Sequence, residues 1–213
     1  MPESSPTVRT LAEGLRHEIE KIKGSRFIAT LEPTSGREAV ERFLEGVREE
    51  FRDATHNCFA WRLGGPLGQN RDDWRYSDDG EPSGSAGRPI LQEIDGRGLI
   101  DVAVVVTRYY GGTKLGTGGL MRAYGGAAAE ALDVARIVER PIVDRLAIRF
   151  DYGVSGPIQG VLSAHALEPV ASDYGSEVRL VLAVPIDRTD DVRRQLIDVT
   201  TGSIRFEAES PGD

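Results

Sequence analysis

Arg108, Lys114 and Arg122 are the only charged side chains between Val102 and Ala129, in a chain whose 34 Asp and Glu outnumber its 26 Lys and Arg. Among them stand Gly111, Gly112, Gly116, Gly118 and Gly119, with Thr113 and Thr117. Glycines let backbone N–H groups converge, and a helix that starts behind them presents unpaired donors and about half a positive charge. Such a segment suits an anion, either a phosphate or an acidic protein surface. It is neither standard nucleotide loop. Gly111 and Gly116 have the Walker A spacing, but Thr117-Gly118 follows where Lys-Ser/Thr is required, and Lys114 falls inside the loop. The dinucleotide fingerprint begun by Gly116 and Gly118 meets Met121 at its third glycine position. The glycines also have a purely structural reading, as turns and as close contacts between a helix and a sheet. Tyr109 and Tyr110 end the preceding strand, so one ring points inward and the other outward, where it can stack on a ligand or cap the core.

A second loop carries the opposite charge. Asp78, Asp79, Gly80 and Glu81 precede Pro82, Ser83 and Ser85 at an expected helix start. Three carboxylates in four residues can hold a divalent cation, pair with Arg108 or Lys114, or face water, and residues 83–87 form a second candidate nest of N–H donors. His56 and Cys58 lie two apart on an expected strand and share a face, which suits a thiolate–imidazole pair. With His17 and His165 as the other histidines and no second cysteine, a zinc set cannot be completed. No catalytic residue, metal ligand or cofactor site is assigned.

The elements that position these groups follow from periodicity. Residues 19–31 suggest a strand or hairpin bending at Gly24-Ser25; residues 35–55 place apolar side chains at helical spacing behind a Ser35/Glu38 capping box; residues 58–63 suggest a strand. A long loop or short strand over 64–87, a helix over 86–94, a buried strand over 100–107 and a helix over 116–138 stopped by Pro141 follow. Beyond it the order is strand 142–150, helix 154–166, strands 168–173 and 177–184, helix 188–198 and strand 203–208, a βαββαβ pattern that fits a ferredoxin-like sandwich. The expected division is a flexible tail over 1–9, an N-terminal domain over 10–139, a C-terminal domain over 140–209 and a tail over 210–213.

Composition narrows the function classes. A formal net charge of −8 over 213 residues argues against a general nucleic-acid coat and confines any nucleic-acid role to a local surface. One cysteine allows no intramolecular disulfide, the N-terminus lacks the basic start and apolar core of a signal peptide, and no apolar run reaches the ~18 residues of a membrane span. The expectation is a cytoplasmic protein without a membrane partner.

Four separated segments, Lys23-Gly-Ser-Arg26-Phe-Ile-Ala29, His56-Asn-Cys58, Asp78 to Gly87 and Val106 to Tyr124, resemble the signature of the YigZ/IMPACT family. The resemblance adds Arg26 to the candidate residues. It implies an α+β protein of two domains: an α/β sandwich similar to domain 2 of a small-subunit ribosomal protein, then a ferredoxin-like domain similar to domain V of elongation factor G. The first fold is shared with small-molecule kinases, whose Pro-x-x-x-Gly-Leu-Gly-Ser-Ser pattern is absent here. Eukaryotic members restrain a kinase of a translation initiation factor by competing for its activator. The resemblance therefore implies a non-enzymatic, translation-associated regulator that binds RNA, the ribosome or a translation factor. The alternatives are an enzyme acting on a nucleotide or other phosphate-bearing small molecule held by the same loop, and a protein–protein interaction module.

Overall fold

The computed structural model describes residues 6–64 and 73–207. The chain divides into two compact units, one formed by Val8–Arg140 and one by Pro141–Asp213 with Met1–Thr7.

The first unit is built on an antiparallel five-stranded sheet. Its strands are β2 (Leu15–Glu18), β3 (Arg26–Pro33), β4 (His56–Leu63), β5 (Asp73–Ser77) and β6 (Val102–Tyr109), in the order β2-β3-β6-β4-β5. Helix α1 (Arg37–Glu50) covers one face, packing Val40, Leu44 and Val47 on Ile28, Phe59, Trp61 and Val105. Helices α2 (Gly87–Gly96) and α3 (Thr117–Val134) cover the other, over Phe27, Leu31, Cys58, Ala60, Val104 and Val106. Cover on both faces is why β6 is a run of valines rather than an alternating strand: every residue from Val102 to Arg108 is buried. Helix α3 lies close to α2 because its small residues permit it; a Cβ on Gly125 would touch Pro89 at 3.5 Å.

Three local expectations are corrected. Thr7–Leu11, partly assigned to a tail, is strand β1, which pairs with β7 (Ile137–Pro141), and Thr10 is buried. Helix α3 accordingly stops at Val134, where Ala135 turns extended, so Pro141 closes a strand and not the helix. Helix α1 is capped by Gly36 at φ 135° with no side-chain hydrogen bond, so the Ser35/Glu38 box does not form. The hairpin at Gly24-Ser25 joins β2 to β3, with Lys23 and Gly24 both at positive φ.

The second unit contains β8 (Val143–Phe150), α4 (Ser155–Ala164), β9 (Pro169–Tyr174), β10 (Val178–Pro185), α5 (Thr189–Val199) and β11 (Arg205–Glu207). The strand order β11-β8-β10-β9, antiparallel throughout, is the ferredoxin-like arrangement. Leu146, Ile148, Leu180 and Leu182 face Ile158, Leu162, Val192 and Leu196 in its core. The protein is thus α+β. Among the described residues, no helix is long and apolar enough to cross a membrane.

Candidate functional site

The two oppositely charged loops meet at one end of the five-stranded sheet, because β6 runs antiparallel to β3 and β4 and brings Arg108 level with Phe27 and His56. Arg108 is 4% exposed. Its Nη1 donates to Glu81 Oε1 at 2.5 Å and its Nη2 to Ser25 Oγ at 3.3 Å, while the guanidinium lies over the Phe27 and Tyr110 rings. Glu81 Oε1 also accepts from the Tyr124 hydroxyl at 2.8 Å and lies 3.8 Å from His56 Nε2. Burial pushes the Tyr124 phenol up, so it remains a donor. A charged pair this deep is tolerable only with such partners, since each ion loses its water.

Asp78 and Asp79 are also used inside the fold. The Asp78 carboxylate accepts the N–H groups of Gly84, Ala86 and Gly87 at 2.8, 2.9 and 2.9 Å, and so fills the nest at the start of α2 with the loop's own anion. Asp79, at φ 42°, accepts the Asn57 N–H at 2.6 Å through its carboxylate. Its carbonyl accepts from His56 Nδ1 at 2.7 Å, and a carbonyl only accepts, so Nδ1 carries the proton. Gly80 adopts φ 87°, Ser83 is exposed and Ser85 is fully buried. Among the described residues, no group of three or more His, Cys, Asp or Glu is placed to hold a metal ion.

His56 and Cys58 do share a face, but the thiol is fully buried and donates to the Asp78 carbonyl at 3.0 Å. Burial pushes it far above the ordinary thiol range, which leaves no thiolate to act as a nucleophile. Native protein is therefore expected to resist alkylation by iodoacetamide at about pH 8 and to react fully once unfolded in urea. Native labelling at the rate of a free thiol would contradict the buried assignment. Arg26 forks onto Glu18 with two bonds of 2.9 Å and lies over the Tyr109 ring, whose hydroxyl donates to Asp53.

The glycine loop is tied down at its start and open beyond. Tyr110 N–H donates to Thr55 Oγ1 and Gly111 N–H to Ser25 Oγ, and Gly111 lies directly on the backbone of Gly24. Gly112 and Gly116 turn the chain at φ 88° and 72°, and Gly116 caps α3 without a side-chain hydrogen bond. The first turn of α3 holds no acidic residue. Thr113, Lys114, Thr117, Gly118 and Arg122 are exposed, Gly119 is half-buried, and neither Lys114 nor Arg122 has an ion-pair partner among the described residues. Of the three cations in the stretch, one is buried structure and two face solvent.

Ser25, Asn57 and Tyr124 complete this corner, although the sequence assigns none of them a role at the site. Asn57 accepts from the buried Thr107 hydroxyl at 2.7 Å. Arg88 was equally silent; it is exposed on the first turn of α2, beside the contact between Pro89 and Gly125.

A family model described as the Impact N-terminal domain matches residues 23–132, which contain these groups apart from Glu18. The chain belongs to the IMPACT family. A second model, a domain of unknown function (DUF1949), matches residues 148–203 in the ferredoxin-like unit. The IMPACT family member YigZ of Escherichia coli (strain K12) is 38% identical over 88% of this chain and 91% of its own. An IMPACT family member of Thermus thermophilus is 44% identical over 77% and 86%, and YvyE of Bacillus subtilis (strain 168) 35% over 91% and 87%. A solved structure described as the crystal structure of an hypothetical protein superposes with a TM-score of 0.72 at 35% identity, covering 97% of this chain and 98% of that one. The four segments that carry the resemblance, scattered from Lys23 to Tyr124, meet in this fold around the Glu81–Arg108 pair and the loop that follows Arg108.

Proposed function

We propose that this IMPACT family protein is a non-enzymatic, cytoplasmic, translation-associated regulator that binds RNA, free or within the ribosome, through the segment from Arg108 to Arg122. The observation that carries the reading is the start of α3: a helix N-terminus with no side-chain cap and no acid in its first turn, flanked by exposed Lys114 and Arg122. The N–H groups there supply directed donors and the two cations supply charge, a combination suited to phosphate oxygens. Family membership supports the translational setting. The enzyme reading is weaker, because Asp78, Asp79 and Glu81, which would have to ligate a metal or move a proton, are already engaged by backbone N–H groups and Arg108.

Binding to structured RNA and to ribosomes across a salt series tests this. Since Arg108 is buried and paired, the informative variant is K114E/R122E. Removing two phosphate contacts is expected to weaken affinity tenfold or more and flatten the salt slope by about 1.5–2. Unchanged affinity and slope would leave the loop without a role in RNA binding.

A further inference from the structure

Trp74 and Tyr76 are 46% and 36% exposed on the edge strand β5. Tryptophan is normally well buried, and two neighbouring exposed aromatics on a strand that is the sheet's edge among the described residues invite association. Their ring planes lie 3° apart with centroids at 6.2 Å. They are two residues apart and opposite Arg62 and Ala60 of β4, so both rings emerge on the face that carries α2.

The charge around the rings favours an anionic partner. On that face, among the described residues, the Asp95 carboxylate near Trp74 is paired with Arg62 at 2.5 Å. Arg88 is exposed and has no ion-pair partner among the described residues, whereas Arg75, between the two rings and opposite Trp61, projects to the α1 face. Arg88 sits at the start of α2, whose Gly87 packs on the Ser77 backbone at the end of β5, and its neighbour Pro89 touches Gly125, one turn along α3 from Arg122. Cations therefore run from Lys114 through Arg122 and Arg88 toward the aromatic pair on one face of the first unit.

From this juxtaposition we propose that Trp74 and Tyr76 stack on unpaired bases of single-stranded RNA whose phosphates follow Arg88 and Arg122. Stacking needs a free π-face, which a duplex does not offer, and tolerates any base. The inference rests on the reading of the α3 loop as a phosphate site and adds a preference for unpaired RNA.

The test measures binding of a single-stranded RNA of about 12 nucleotides and of a duplex of equal length. W74A/Y76A is expected to lower single-strand affinity about 10- to 100-fold, with duplex affinity and salt slope unchanged. W74F/Y76F, which keeps the π-faces, is expected to retain most of it. Both variants alter exposed side chains, and the buried Trp61 still reports folding by fluorescence. If W74A/Y76A binds like the parent while K114E/R122E is weakened, the stacking role is wrong and the phosphate site stands. A parent protein with no affinity for either RNA removes both. A parent dimer that W74A/Y76A converts to monomer, with RNA affinity untouched, makes the pair an interface between copies and overturns the proposal.

Discussion

Replacing Glu81 by alanine is expected to lower the unfolding free energy by about 3–5 kcal/mol, because it strands a buried guanidinium. Both members of the Arg108–Glu81 pair have side chains only 5% exposed, and Glu81 is also the acceptor for the Tyr124 hydroxyl. The remaining partners of the Arg108 guanidinium, Ser25 Oγ at 3.3 Å and the Phe27 and Tyr110 rings, are neutral and cannot balance its charge. The double variant E81L/R108M, which removes both ions and restores apolar volume, is expected to recover the part of the loss due to the stranded charge but not the roughly 1–3 kcal/mol of the Tyr124 hydroxyl left without its acceptor. Urea unfolding of the two variants, read at constant m-value, measures both effects. A loss below about 1 kcal/mol for E81A would mean that water reaches the pair and that it behaves as a surface ion pair.

That pair also shows where reading the sequence reaches its end. Periodicity was enough to find α1, α2, β6 and the whole βαββαβ order, because each has a local pattern set by which faces are covered. It was not enough for β1, whose partner β7 lies more than a hundred residues along the chain, so that nothing local distinguishes Thr7–Leu11 from a polar tail. The same missing partner makes the helical pattern of α3 extend to 138, past the turn at Ala135. At the candidate site, residue types name the groups that the fold brings together but not the pairings among them. An acid-free stretch around Arg108 suggests an anion from outside; the anion that answers it is Glu81, 27 residues earlier in the chain. The N–H groups of Gly84, Ala86 and Gly87 do converge, on Asp78 from the same loop. The role of Tyr124 is not legible in the sequence, because its hydroxyl finds its acceptor only when folding brings Glu81 beside it. Charge patterns report the sum of partners, internal and external, and only tertiary contacts separate the two.

The glycines of the loop divide in the same way, and G111A against G112A separates them. A Cβ on Gly111 would lie 1.9 Å from the carbonyl carbon of Gly24 and 2.2 Å from Ser25 N, both backbone atoms that cannot swing aside. Gly24 itself sits at φ 83° and its own Cβ would meet Gly111 O at 2.8 Å, so the two chains touch glycine to glycine. Alanine at 111 must push the loop off the β2–β3 hairpin, breaking the bond from its N–H to Ser25 Oγ and loosening the seat of Arg108. The expected cost is about 3–4 kcal/mol, at the upper end of what forced overpacking produces. Gly112, by contrast, has open space where its Cβ would go and only a positive φ of 88° to answer for, so G112A is expected to cost about 1–2 kcal/mol. Chemical denaturation orders the two variants, and hydrogen exchange at the Gly111 amide shows whether the Ser25 contact has opened. Because Lys114 and the start of α3 hang from this anchor, G111A is also expected to weaken the proposed RNA binding at temperatures where it remains folded, while G112A leaves the anchor in place. Equal stability for the two variants would mean that the hairpin yields freely and that the loop is not held at Gly24.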